Sequence, residues 1–152
     1  MTLFLENTSF TVNAASDKLS EAEVKGGETQ ALITLVNEEG KKIQNELMPD
    51  RKALLDEYRD KNTSSERKAE IVALFDEVDA RVRAFSDSVV LANPMSYYAL
   101  MQFASDVLDM KLEMAEEVLA KFKADARFAT HKRLVAAEEL IVKERALQIG
   151  QV

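Results

Sequence analysis

Five carboxylates, Asp106, Asp109, Glu113, Glu116 and Glu117, follow one another at steps of three, four, three and one. On a helix that spacing gathers them on roughly one side. Such a row holds a hard divalent cation when a second acidic helix faces it, because these ions take oxygen ligands from several directions. Glu113 and Glu116 would supply one Glu-x-x-Glu half of a two-helix carboxylate site. No second half follows it, since Glu138 and Glu139 are followed three places on by Ile141 and Val142, and the Glu-x-x-Asp of Glu57 and Asp60 comes earlier. The row therefore reads as a solvated acidic face, and a carboxylate-dependent metal enzyme stands only third among the readings of this chain.

The other ingredients of catalysis are thin. His131 is the chain's single histidine, and cysteine is absent. A His-rich metal site, a His-based serine triad, a thiol nucleophile and a Cys-based zinc site thus lose their residues or their partners. Di-iron bundles use paired Glu-x-x-His motifs and need two histidines. Gly26-Gly27 is not followed by the Gly-Lys-Ser/Thr that cradles phosphate at a helix start. No catalytic residue, metal ligand or cofactor is assigned.

Charge narrows the choice of partner. The net charge is −7, from 20 Lys and Arg against 27 Asp and Glu. It is unevenly spread, with an excess of about +3 over residues 121–145 against about −10 elsewhere. Lys121, Lys123, Arg127, Lys132 and Arg133 have the charge to meet phosphates, but neither an aromatic platform nor a base-reading motif accompanies them. An acidic body argues against broad contact with nucleic acid, whose binding is driven by cationic neutralisation and counterion release. A protein partner or self-association is the expectation. Four aromatics are its candidate contact residues: Phe4 and Phe10 near the N-terminus, and Tyr97 and Tyr98 in a Met- and Tyr-rich stretch, provided that the tyrosines are exposed.

Elements must position these groups, and most read as helix. Ala, Leu, Glu, Lys and Met abound, and only four Gly and two Pro interrupt them. At 47% hydrophobic and 31% charged residues the chain can bury a core and stay dissolved. No window approaches the roughly 18 apolar residues of a membrane span, and Met1 to Asn13 lack the basic start of a signal peptide. The expected place is the cytoplasm or an assembled particle, with no membrane contact.

Along the chain, Leu3-Phe4-Leu5 and Phe10-Thr11-Val12 favour strand and flank a turn-like Glu6 to Ser9. Residues 1–30 read as an extended or hairpin arm and linker, with a helical option at Leu19 to Val24, and residues 31–152 as a helical domain. Residues 31–48 fit helix or hairpin, with helix favoured. Pro49 and Asp50 open a further segment. Thr63 with Glu66 has capping-box spacing ahead of a long helix, along which Ile71, Phe75, Val78, Val82, Phe85 and Val89 form a packing seam.

Asn93 and Pro94 start the next element, a wide apolar helix from Met95 to Lys123. A last helix, either separate or continuous with it, places Phe128, Val135, Val142 and Ile149 seven apart, with Leu134 and Ile141 beside them. The expected architecture is mainly α: an antiparallel bundle or coiled-coil-like helices with a short N-terminal arm. The expected function is a non-enzymatic interaction or assembly component. The alternative is an acidic inhibitor, immunity protein or secretion chaperone that covers a basic site.

Overall fold

The computed structural model describes Ser9, Thr11–Asn13 and residues 23–149. Among them are six helices and one pair of short strands, so the chain is mainly α. By contact it forms two compact units, Met1–Ala92 and Asn93–Val152.

The first unit begins with β1 (Thr11–Asn13) paired antiparallel to β2 (Glu23–Lys25), in the register Thr11 to Lys25, Val12 to Val24 and Asn13 to Glu23. The expected hairpin mate of the second run, Leu3-Phe4-Leu5, lies outside the described residues, as does Phe10. The helical option at Leu19 to Val24 fails at Glu23 and Val24, which are strand. Pairing supplies partners for the backbone of Thr11–Asn13, which a helix at that place would leave unmet. Gly26 and Gly27 then turn the chain with φ of 114° and 79°, a region that glycine enters without penalty.

Helix α1 (Glu28–Leu47) resolves the ambiguity of residues 31–48 in favour of helix. Gly40 lies within it against Val82. Helix α2 (Arg51–Arg59) is capped by Asp50, whose Oδ1 accepts the Ala53 N–H at 2.9 Å. Pro49 therefore precedes the cap rather than occupying the first turn.

Helix α3 (Ser65–Ala92) starts one residue later than capping by Thr63 would require. Ser64 Oγ accepts the Arg67 N–H at 3.2 Å, while Thr63 Oγ1 donates back to the Glu57 carbonyl at 2.6 Å. All six seam residues of α3 are buried or half-buried, and Asp76, Glu77, Asp79, Arg81 and Arg83 are exposed. Ile43, Met48 and Val78 form a buried cluster, flanked by Leu47, Leu54, Leu74, Phe75 and Val82. Burial of this apolar area is what fastens α1 and α2 to α3.

The second unit holds α4 (Tyr97–Asp106), α5 (Leu112–Ala124) and α6 (Lys132–Ile149). Ser96, not Asn93, caps α4: its Oγ accepts the Ala99 N–H at 3.0 Å and donates to the Asn93 carbonyl at 2.8 Å. The single helix expected from Met95 to Lys123 is two, broken over Val107 to Lys111. An apolar set too wide for one stripe is thereby divided, α4 burying Tyr98, Ala99, Leu100 and Phe103, and α5 burying Ala115, Leu119 and Phe122. A second break, from Asp125 to His131, separates α5 from α6.

Aromatic rings link these pieces. Phe103 of α4 stacks on Phe122 of α5 at 5.9 Å, and Phe122 meets Phe128 edge-on at 5.2 Å. Edge-to-face and offset contacts of this kind suit the ring quadrupole. Helix α6 turns inward along Leu134, Ala137 and Ile141, which are all nearly inaccessible. The expected seam at Val135 and Val142 is thus corrected to the neighbouring row.

Candidate functional site

The stretch that begins α4 is a tightly bonded corner of the second unit. Tyr97 Oη donates to the Arg127 carbonyl at 3.2 Å, and its ring meets Phe128 edge-on at 4.8 Å and tilts against His131 at 5.7 Å. Arg127 donates from Nη2 to the Met95 carbonyl at 3.2 Å, and its guanidinium lies over the Phe128 ring at 4.8 Å. Asp125 fixes that guanidinium through Nη2 at 2.6 Å and also accepts the Arg127 backbone N–H at 2.9 Å. These bonds to Arg127 hold the Asp125 carboxyl below its ordinary pKa.

The corner places the candidate contact tyrosines differently. Tyr97 is half-buried. Tyr98 is 4% exposed, and its hydroxyl accepts from Gln102 Nε2 at 2.9 Å. The exposure on which a contact role for Tyr98 depends is absent, because adjacent positions of a helix point about 100° apart and Tyr98 takes the inward one. Phe4 and Phe10 lie outside the described residues.

The carboxylate row is not one face. Asp106 closes α4, Asp109 sits in the following turn, and Glu113, Glu116 and Glu117 belong to α5. Arg145 of α6 pairs with both oxygens of Glu116, its Nε lying 2.6 Å from Oε1. Among the described residues no group of three or more His, Cys, Asp and Glu is placed to hold a metal ion. The basic cluster is similarly engaged in part, Lys123 with Glu138 at 2.5 Å and Arg127 with Asp125. The pairs Arg145–Glu116 and Lys123–Glu138 join α5 to α6, and Arg127–Asp125 lies in their connection.

A surface of mixed polarity lies beside these pairs. A groove of about 250 Å³ opens between the α4–α5 turn, α5 and α6, lined by Val107, Leu108, Met110, Leu112, Leu140 and Ile141 with Lys111, Glu113 and Glu144. Leu108 at its edge is 65% exposed. On α6, Val142 and Leu147 are 62% and 63% exposed and Val135 43%. Helix α6 thus carries one apolar row packed inward and a sparse second row, exposed Val135 and Val142 with Glu138 and Glu139 between them. The seven-residue spacing of Val135 and Val142 signalled the second row in the sequence, although there it reads as the packed one.

No family model, no curated protein and no solved structure matches the chain.

Proposed function

We propose that this protein is a non-enzymatic interaction or assembly component that associates with a protein partner or with copies of itself through its helices. The observation that supports this reading most is the exposed pair Val135 and Val142, seven residues apart on α6. Exposed apolar side chains aligned along one helix lose contact with water when a second helix covers them, and a seven-residue repeat suits lengthwise pairing. In this reading the packing between helices is antiparallel and coiled-coil-like, Tyr97 and the arm residues Phe4 and Phe10 add contacts, and the protein works in the cytoplasm or in an assembled particle.

The test is V142D compared with wild type. Val142 is largely exposed, so the charge leaves far-UV circular dichroism and the melting midpoint nearly unchanged. Mass by light scattering, or recovery of the native partner, falls at least about tenfold in association constant, the equivalent of roughly 1.4 kcal/mol. Association that survives V142D and V135D together overturns the reading. Recovery of a one-to-one complex with a basic protein, insensitive to both variants and weakened by salt, selects the acidic inhibitor or chaperone instead.

A further inference from the structure

We propose that His131 is an acid-sensitive clasp of the second unit: its neutral imidazole caps the start of α6, and protonation removes that cap. The residue stands immediately before Lys132, the first residue of α6. Its carbonyl accepts the Val135 N–H at 3.1 Å and the Leu134 N–H at 2.9 Å, as the residue at the head of a helix does. Its Nδ1 accepts the Arg133 N–H at 3.3 Å, satisfying one of the four donors that the first turn leaves without a helical partner. An acceptor at Nδ1 requires the ring proton at Nε2 and a neutral ring.

Protonation makes both ring nitrogens donors, so Nδ1 then confronts the Arg133 N–H instead of receiving it. It also places a positive charge at the positive end of the α6 dipole. The surrounding charges add to the penalty. Lys132 and Arg133 follow directly on α6, and Arg127 in the preceding connection has its carboxylate partner, Asp125, already engaged. Helix α4 contributes Tyr97, whose hydroxyl is turned to the Arg127 carbonyl, and Lys123 of α5 is held by Glu138 farther along α6. Partial burial and Arg133 accordingly hold His131 below its ordinary pKa.

A group whose pKa is depressed by folding binds protons more readily in the unfolded chain. The clasp therefore contributes fully above the ordinary histidine value of about 6.5 and is lost as pH falls through the folded value. His131 is the sequence's single histidine, so no other side chain ordinarily titrates in this window. Tyr97 rests on His131 and Phe128 together, which carries a loosened α6 start to the beginning of α4.

The experiment uses the full chain and H131N, because asparagine supplies a capping oxygen that does not titrate. Between pH 7.5 and pH 5.5 the melting midpoint of wild type is expected to fall at least about 2 °C further than that of H131N. In wild type, the His131 ring protons titrate by NMR below the ordinary value, and exchange of the Arg133 amide, corrected for its intrinsic pH dependence, accelerates over the same range. Parallel melting curves, or a ring that titrates at or above the ordinary value, overturn the proposal.

Discussion

Arg67 grips Glu57 with two parallel hydrogen bonds, Nε to Oε1 at 2.8 Å and Nη2 to Oε2 at 3.1 Å, across ten residues of chain. The pair ties the end of α2 to the start of α3 beside the Thr63 bond to the Glu57 carbonyl. The planar fork of arginine matches both carboxylate oxygens, and an ammonium group does not. Hydrogen bonding to Arg67 holds the Glu57 carboxyl below its ordinary pKa.

The expected outcome of R67A is that Glu57 titrates, by carboxyl-carbon NMR, back in the usual glutamate range, with R67K giving an intermediate value. The sign of the pH effect follows from the lowered pKa. The bond's contribution is present above the ordinary carboxylate range and disappears as pH falls through the folded value. A Glu57 midpoint that does not move in R67A contradicts the assignment.

Val78 is 7% exposed in the cluster with Ile43 and Met48. V78D introduces a carboxylate where neither cluster partner offers a compensating charge, and the expected loss of stability is about 3–5 kcal/mol by urea unfolding. V72D, at a position of the same helix that is 40% exposed, is the control and is expected within about 0.5 kcal/mol of wild type. Equal effects at the two positions would mean that the packed face of α3 has been misidentified.

Gly40 offers the opposite direction. A Cβ added there would lie 3.6 and 3.7 Å from the two Val82 methyls, an ordinary contact distance, and Gly40 has no positive φ. G40A therefore removes backbone freedom from the unfolded chain without steric cost, and the expected gain is about 0.5–1 kcal/mol by thermal melting. A loss of stability would show that α1 and α3 need a closer approach at Gly40 than a methyl group permits.

The legible parts of this fold are those decided by local spacing. The α3 seam from Ile71 to Val89 needs only its own alternation of four and three, and the helical reading of residues 31–48 survives a glycine in mid-helix. The caps show where local reading stops. Asn62-Thr63-Ser64-Ser65 contains four residues able to cap, and a distant event, the capture of Thr63 Oγ1 by Glu57, leaves the role to Ser64. Ser96 displaces Asn93 in the same way, through its own bond to the Asn93 carbonyl.

For the candidate surface the difficulty is geometric. Val135 and Val142 lie one residue from Leu134 and Ile141, so their rows differ by about 100° around α6. Either row makes an acceptable buried stripe in isolation. The choice is made by the neighbouring helices of the unit, whose placement is absent from the α6 sequence. The carboxylate row departs from a single face for a related reason: its periodicity holds only along an unbroken helix, and the turn from Val107 to Lys111 breaks it.

The principal helix pairs, α1 with α3, α2 with α3, α4 with α6 and α5 with α6, each join elements no more than two apart in the chain. Loops closed between such near neighbours carry a small entropic cost, which favours fast folding. On the ribosome this order has a direction. The unit that ends at Ala92 can gather its own helices while the chain beyond Asn93 is still being synthesised, so its apolar seam is covered before α6 emerges with Val135 and Val142 exposed.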